Sequence, residues 1–351
     1  MLKLRRGIVL SVLAPEGGWQ RLTAEVDGEP RPAVADVGTV GECADGDEVV
    51  VNVEARDLAL GSGGFDVVHV NLTRGLDGES LPGAHVMKLN YSPLQHAVRP
   101  VEERDDTAPG DAATDALDDL PLRAPVAVFP LHGHLAPVAW ALGQARPGTR
   151  VGYVQTAGGA LPGAMSGTVR ELLERGLLAG HTTAGAAYGG RDEAITTAGA
   201  IHDGIAAQGW EVALVGPGPG ILGSGSALGH GGIVGLDSAH AALALGCRTV
   251  LVARMSAGDP RPRHQGLSHH TRTVLELLLA PVTVPVPIGA TDPGFAVARK
   301  RGHVVHEAHA ELDGYAASGL PARTMGRSLD QDRPFFAAAL AAGATLGGML
   351  P

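Results

Sequence analysis

The chain of 351 residues is 44% hydrophobic and carries a net charge of −10, which suits two domains at about one per 150 residues and includes no apolar run of the ~18 residues a membrane span needs. Glycine supplies 51 residues, about twice its ordinary share, while aromatic residues make up only 3%. That balance excludes a base-stacking platform and a ring-lined carbohydrate cleft.

From the N-terminus, Met1-Leu2-Lys3-Leu4-Arg5-Arg6 followed by apolar residues imitates a signal peptide. The stretch is short and no A-x-A site follows, so it reads as a first strand and the expected location is cytoplasmic. Residues 7–13, 20–26, 32–40, 48–55 and 65–72 read as short strands, with 84–94 extended after them. Gly17-Gly18, Asp27-Gly28, Asp45-Gly46 and the glycines around residues 61–64 punctuate them, supplying the positive backbone dihedrals that hairpins need. Residues 1–101 are therefore expected to form a small β-barrel, SH3-like or OB-like. Residues 1–75 hold −5 of the net charge. Phosphate neutralisation dominates oligonucleotide affinity, so no nucleic acid is expected as a partner, and no membrane. Residues 102–122 form an acidic linker, with −7 in residues 102–119. Cys43 and Cys247 lie far apart with no CxxC, against both a disulfide framework and a cysteine zinc site.

From residue 123 to 351, where the charge turns slightly positive, strands alternate with helices. Strands are expected at 125–129, 150–155, 181–188, 211–215, 248–253, 282–288 and 303–306. Helices are expected at 136–144, 168–178, 192–208, 232–245, 269–279, 310–317 and 333–342. Ser166 and Ser268 are candidate N-caps, and Pro285 with Pro287 points to an edge strand. Such alternation implies a doubly wound, mostly parallel, Rossmann-like α/β domain.

Ligands of open α/β sheets bind at the carboxyl ends of the strands, and four loops there carry glycine, hydroxyl, histidine and arginine. Leu131-His132-Gly133-His134 follows the first strand, and Thr156-Ala157-Gly158-Gly159 the second. Residues 216–232 contain GxGxxG as Gly218, Gly220 and Gly223. Pro217 and Pro219 remove two N–H donors, the glycine run continues past the motif, and no ribose-binding acid ends the next strand. These features count against a nicotinamide or flavin site, and the cofactor stays unspecified. The remaining amides, with Ser224 and Ser226, suit an anion. A tight turn and close helix–sheet packing explain most of these glycines equally well.

In the loop 256–271, Arg261 and Arg263 offer planar forks for phosphate or carboxylate. His264, His269 and His270 are the candidate acid–base residues. At a helix N-terminus the macrodipole keeps imidazole neutral. No metal site is expected, because adjacent His269 and His270 should diverge on a helix. A third ligand would have to come from His132, His134, His230 or Asp259. Asp192 and Glu193 read as the first turn of a helix, His240 as structural, and His303, His306 and His309 as surface or structural histidines. No GxSxG, HExxH or Walker loop is present.

Residues 256–271, 158–162 and 216–232 resemble the bacterial family called domain of unknown function 3866. The most specific stretch is Arg263-His264-Gln265-Gly266-Leu267-Ser268-His269-His270-Thr271, and the likeness takes in Met87-Lys88-Leu89-Asn90-Tyr91. The resemblance implies one complete cytoplasmic protein and carries over no catalytic residue. The expected function is binding of a small anionic molecule, phosphorylated ones included, in a Gly/His/Arg-lined cleft, with hydrolysis or group transfer if the protein is an enzyme. The alternative is a non-catalytic ligand sensor or interaction protein using the barrel. Homo-oligomer formation stays open.

Overall fold

The computed structural model describes residues 1–60, 63–79, 81–103 and 115–351. Most of the expected linker, residues 104–114, lies outside the described residues, as do residues 61 and 62 of the glycine turn. The chain divides into two compact units, Met1–Arg99 and Pro100–Pro351.

In the N-terminal unit, β1 (Leu4–Val12), β2 (Trp19–Val26), β3 (Glu29–Asp36), β4 (Glu48–Asn52) and β5 (Asp66–Asn71) close into a barrel of order β1-β2-β3-β5-β4. The β3–β5 pair is parallel and β4 returns antiparallel to β1. This connectivity is a Greek-key barrel of the OB kind rather than an SH3-like one. Val26 pairs with Glu29 across the two-residue turn Asp27-Gly28, where φ is 54° and 82°. That is the positive-φ turn whose twist matches a hairpin. Along β2, Leu22, Ala24 and Val26 point into the barrel while Arg21 and Glu25 face out. Gln20, also inward, satisfies its buried amide on Cys43, donating to the Cys43 carbonyl at 3.0 Å and accepting the Cys43 N–H at 2.8 Å. The expected strand 32–40 stops at Asp36, which caps the helical turn Val37–Val40. The stretch 84–94 is not continuously extended: β6 (Val86–Lys88) and β7 (His96–Val98) pair, and Leu89 and Tyr91 take positive φ between them.

In the C-terminal unit, β8 (Pro125–Val128), β9 (Val151–Thr156), β10 (Gly180–Ala184), β11 (Asp192–Ala194), β12 (Val212–Pro217) and β13 (Arg248–Leu251) belong to one sheet. A two-stranded ribbon of β14 (Met255–Ser256) and β15 (Gly266–Leu267) follows, and β16 (Thr283–Pro287) with β17 (Val304–Ala308) completes the sheet. Its order is β11-β10-β9-β12-β8-β13-β16-β17, and every pair in it is parallel. Onward connections from β8, β9 and β10 run toward β11, and those from β12, β13 and β16 run toward β17. They diverge between β9 and β12 and again between β8 and β13, the two places where such sheets open crevices for ligands.

Helices cover both faces. On one, helix Arg333–Met349 lies so close to helix Leu135–Ala145 that a Cβ on Gly343 would stand 2.4 Å from the Val138 carbonyl oxygen, and Phe335, Phe336 and Leu340 are buried there. On the other, Trp210 fills the space that Gly152, Gly180 and Gly204 leave by lacking a Cβ. Part of the glycine excess is thus packing around one indole.

Two expectations need correction. Residues 192–208 are not one helix. Asp192–Ala194 pairs with β10 as an edge strand, and the helix begins at Thr197 after the Thr196 cap. Glu193 therefore accepts hydrogen bonds from the Thr183 hydroxyl and Gly189 N–H instead of sitting in a first helical turn. The proline strand β16 is not at an edge but between β13 and β17. Its prolines are tolerated because β13 reaches it only at Thr283, so few ladder bonds are forgone. Among the described residues no helix is long and apolar enough to cross a membrane.

Candidate histidine and arginine centre

The crevice beside β8 and β13 gathers four imidazoles. Ser268 caps helix His269–Leu277, its hydroxyl accepting the His270 N–H at 3.3 Å and meeting His264 Nδ1 at 2.8 Å. This one side chain orients the loop histidine against the helical pair. His269 and His270 do not diverge as expected: their ring centroids are 4.5 Å apart, and each lies 4.9 Å from His264. The 218–233 loop delivers His230, which stacks on His270 at 3.7 Å with planes 7° apart and stands 5.3 Å from His269. Gly232 packs tightly against this pair: a Cβ there would sit 3.2 Å from Nδ1 of both His230 and His270. The nearest ligand nitrogens of His230, His269 and His270 all lie within 4.8 Å of one another.

The second component is Arg254, 2% exposed, at the carboxyl end of β13. It donates to His270 Nδ1 at 2.9 Å and pairs with Asp259 at 3.3 Å. Asp259 also holds Arg261 at 2.8 Å and lies 3.5 Å from Arg327, which pairs with Asp332 at 2.9 Å. Asp332 further accepts the Ser256 hydroxyl and the Ala257 N–H. Three guanidiniums thus face two carboxylates, leaving one net positive charge beside the imidazoles. Burial lowers Arg254 only to about 10, so it stays charged at neutral pH. The Arg261 hydrogen bond holds the Asp259 carboxyl well below the usual range.

Burial, reinforced by Arg254, keeps the imidazoles neutral. It pushes His264 to about 3, His269 to about 4 and His270 to about 2, and lowers His230 as well. The Ala227 carbonyl opposes that shift without reaching hydrogen-bond geometry. Both nitrogens of His230 and Nε2 of His269 are buried without a hydrogen-bond partner. An unpaired buried polar atom costs about 1–3 kcal/mol, so such a cluster is expensive unless a ligand satisfies it.

A second group of expected residues gathers at the other crevice. His132, Gly218 and Gly220 line a cavity of about 230 Å³ with Thr168, Ile221 and Arg323. His132 donates from Nδ1 to the Pro217 carbonyl at 3.2 Å, so its Nε2 accepts the Ser166 hydroxyl at 2.7 Å. Ser166 also caps helix Gly167–Glu174 through the Val169 N–H. Thr156 is buried. A Cβ on Gly158 would meet the Gly231 oxygen at 2.4 Å, and one on Gly159 the Gly218 oxygen at 2.2 Å. These glycines lock the loops after β9 and β12 together.

The remaining candidates are placed differently. The Arg261 fork is occupied by Asp259, Nε donating to Oδ1 at 2.9 Å and Nη2 to Oδ2 at 2.8 Å. Arg263 is exposed. Ser224 and Ser226 close their own exposed turn, Ser224 Oγ donating to the Gly229 carbonyl and accepting the Ser226 N–H. Sequence reasoning missed Arg254, Arg327 and Asp332. The one available signal for Arg254 is a basic residue immediately after a central parallel strand.

No curated protein matches the chain in sequence. Among solved structures it is similar, at 11% identity, to the crystal structure of YjeQ from Thermotoga maritima. That match covers 78% of this chain and 66% of the other, just under two thirds, with a TM-score of 0.14, too slight a likeness to bear on function. The family model described as Protein of unknown function (DUF3866) matches residues 33–343. The match runs from within β3 into the C-terminal helix and includes every residue of the histidine and arginine centre, so the chain belongs to this family.

Proposed function

We propose that the C-terminal unit binds a small anionic molecule at the Arg254 centre and acts on it by hydrolysis or group transfer. The observation that carries this reading is a buried guanidinium, in excess over the carboxylates around it, directed at neutral imidazoles. A fixed buried cation attracts an anion strongly because little water screens it. Imidazoles that stay neutral add hydrogen-bond donors and acceptors without competing for protons. With values of 3–4, His264 and His269 are weak general bases at pH 7. They suit holding a substrate oxygen or a water better than abstracting a proton unaided.

Inorganic phosphate is the test ligand, added to the protein before and after chelator treatment while melting is followed. A ligand bound only by the native state stabilises it by about 2.7 kcal/mol at a hundredfold excess over its dissociation constant. Arg254→Met should abolish the rise in melting temperature. Arg261→Ala should keep it, because that fork already serves Asp259. No rise in either preparation, or a rise that survives Arg254→Met, would overturn the reading. Binding without turnover of any phosphate or carboxylate ester would leave the non-catalytic sensor in its place.

A further inference from the structure

We propose that His230, His269 and His270 hold one divalent transition-metal ion of the zinc class. The proposal deepens the function read above by naming what activates a water or anion at that centre. Three histidines, one from the 218–233 loop and two from the first turn of helix His269–Leu277, converge with their nearest ligand nitrogens within 4.8 Å of one another. Three protein nitrogens with a fourth position open is the ligand set of catalytic zinc sites. Neutral imidazole is the form that coordinates. Both nitrogens of His230 and Nε2 of His269 are buried and make no hydrogen bond, so turning these rings toward an ion breaks none. Zinc–nitrogen bonds of about 2.0–2.1 Å require the donors to close to roughly 3.3 Å apart. The 7° stack of His230 on His270 therefore opens as the ion enters.

The Arg254 contact gives the proposal a distinctive consequence. An arginine only donates, so His270 Nδ1 carries the lone pair that Arg254 Nη1 meets at 2.9 Å. If the ion takes Nδ1, it takes that lone pair. If it takes Nε2, the ring proton moves to Nδ1 and faces the guanidinium N–H. Either way the hydrogen bond is lost, and Arg254, still held by Asp259 through Nη2, turns a free N–H toward whatever fills the open position. Metal loading therefore prepares the cation that binds the anion.

The test is titration of chelator-stripped, full-length protein with Co²⁺, followed by visible absorption and by metal analysis after gel filtration, in buffer free of phosphate. One equivalent per chain is expected, with visible bands of a four-coordinate site. His230→Ala and His269→Ala should each weaken binding at least tenfold, and His309→Ala, exposed just past the end of β17, should not. Should an alanine variant fail to fold, His230→Gln serves, since it keeps volume and polarity. Arg254→Met should bind Co²⁺ at least as tightly as the native chain, because the contact it removes opposes coordination. Absent bands, sub-stoichiometric metal, or equal affinity in His230→Ala would overturn the proposal, as would much weaker binding by Arg254→Met. Failure here with phosphate still stabilising the stripped protein sinks the metal alone. Cobalt binding with no phosphate effect on either form supports the metal and sinks the anion reading.

Discussion

Replacing Asp259 by alanine removes one carboxylate from three guanidiniums, and the cost can be apportioned from their exposures. Arg261 has 39% of its side chain exposed and can turn into water, so its share is that of a surface pair, about 0–1 kcal/mol. Arg327 keeps Asp332 at 2.9 Å. Arg254 has 3% of its side chain exposed and no other carboxylate partner among the described residues. Stranding a buried charge costs about 3–5 kcal/mol. Asp259→Ala should therefore destabilise by roughly that amount, which at roughly 2–4 °C per kcal/mol lowers the melting temperature by some 6–20 °C. Arg261→Ala should cost no more than about 1 kcal/mol. The double variant Arg254→Met/Asp259→Ala should recover much of the loss, because the stranded charge is gone. Urea denaturation followed by tryptophan fluorescence measures all three. A cost below about 1 kcal/mol for Asp259→Ala, or a double variant no more stable than the single one, would refute the charge argument.

Other outcomes follow from the same geometry. Gly152→Ala would place a Cβ 1.9 Å from the Trp210 ring; it should cost at least the 1–3 kcal/mol of ordinary overpacking, and thermal denaturation showing a neutral change would contradict the close approach. Burial pushes His134 and His181 each to about 3, below the ~6.5 of an unfolded histidine, so stability is full above pH ~6.5 and falls toward pH ~3 by up to about 1.4 kcal/mol per pH unit for each. His181→Gln should flatten that limb in denaturation curves at several pH values, and an unchanged slope would count against neutral burial. Ser166→Ala removes the cap of helix Gly167–Glu174 and the partner of His132 Nε2; it should cost about 1–2 kcal/mol without changing phosphate binding, because the cavity by His132 is separate from the Arg254 centre.

The architecture was legible because its signals are local. Asp27-Gly28 announced its hairpin, Ser166 and Ser268 announced their helices, and apolar runs separated by amphipathic stretches announced a parallel sheet. What failed depends on tertiary context. Asp192–Ala194 has no local reason to leave a helical pattern; it does so because β10 offers an open edge. Pro285 and Pro287 argue for an edge, but one strand neighbour hardly pairs with them. The candidate site was legible as a place and only partly as a set of residues. His264, His269 and His270 lie within seven residues of one another in sequence and meet in space. Joining His230 to them depends on how the glycine loop folds back, and a spacing argument from the helix alone wrongly separated His269 from His270. Arg254, Arg327, Asp259 and Asp332 come together from distant parts of the chain, a constellation no short motif contains. Arg261 looked the better anion fork only because Asp259 was not yet seen in its grip.

The central claim is that a small anion is held by Arg254 at the histidine centre, and native mass spectrometry of the gently purified full-length protein tests it most directly. The account predicts a copurifying anionic small molecule, or added phosphate, as a stoichiometric adduct on the native chain. That adduct should be retained by Arg263→Ala and Arg261→Ala and lost from Arg254→Met. An adduct that persists in Arg254→Met, or a native chain that stays bare at saturating phosphate, would contradict it.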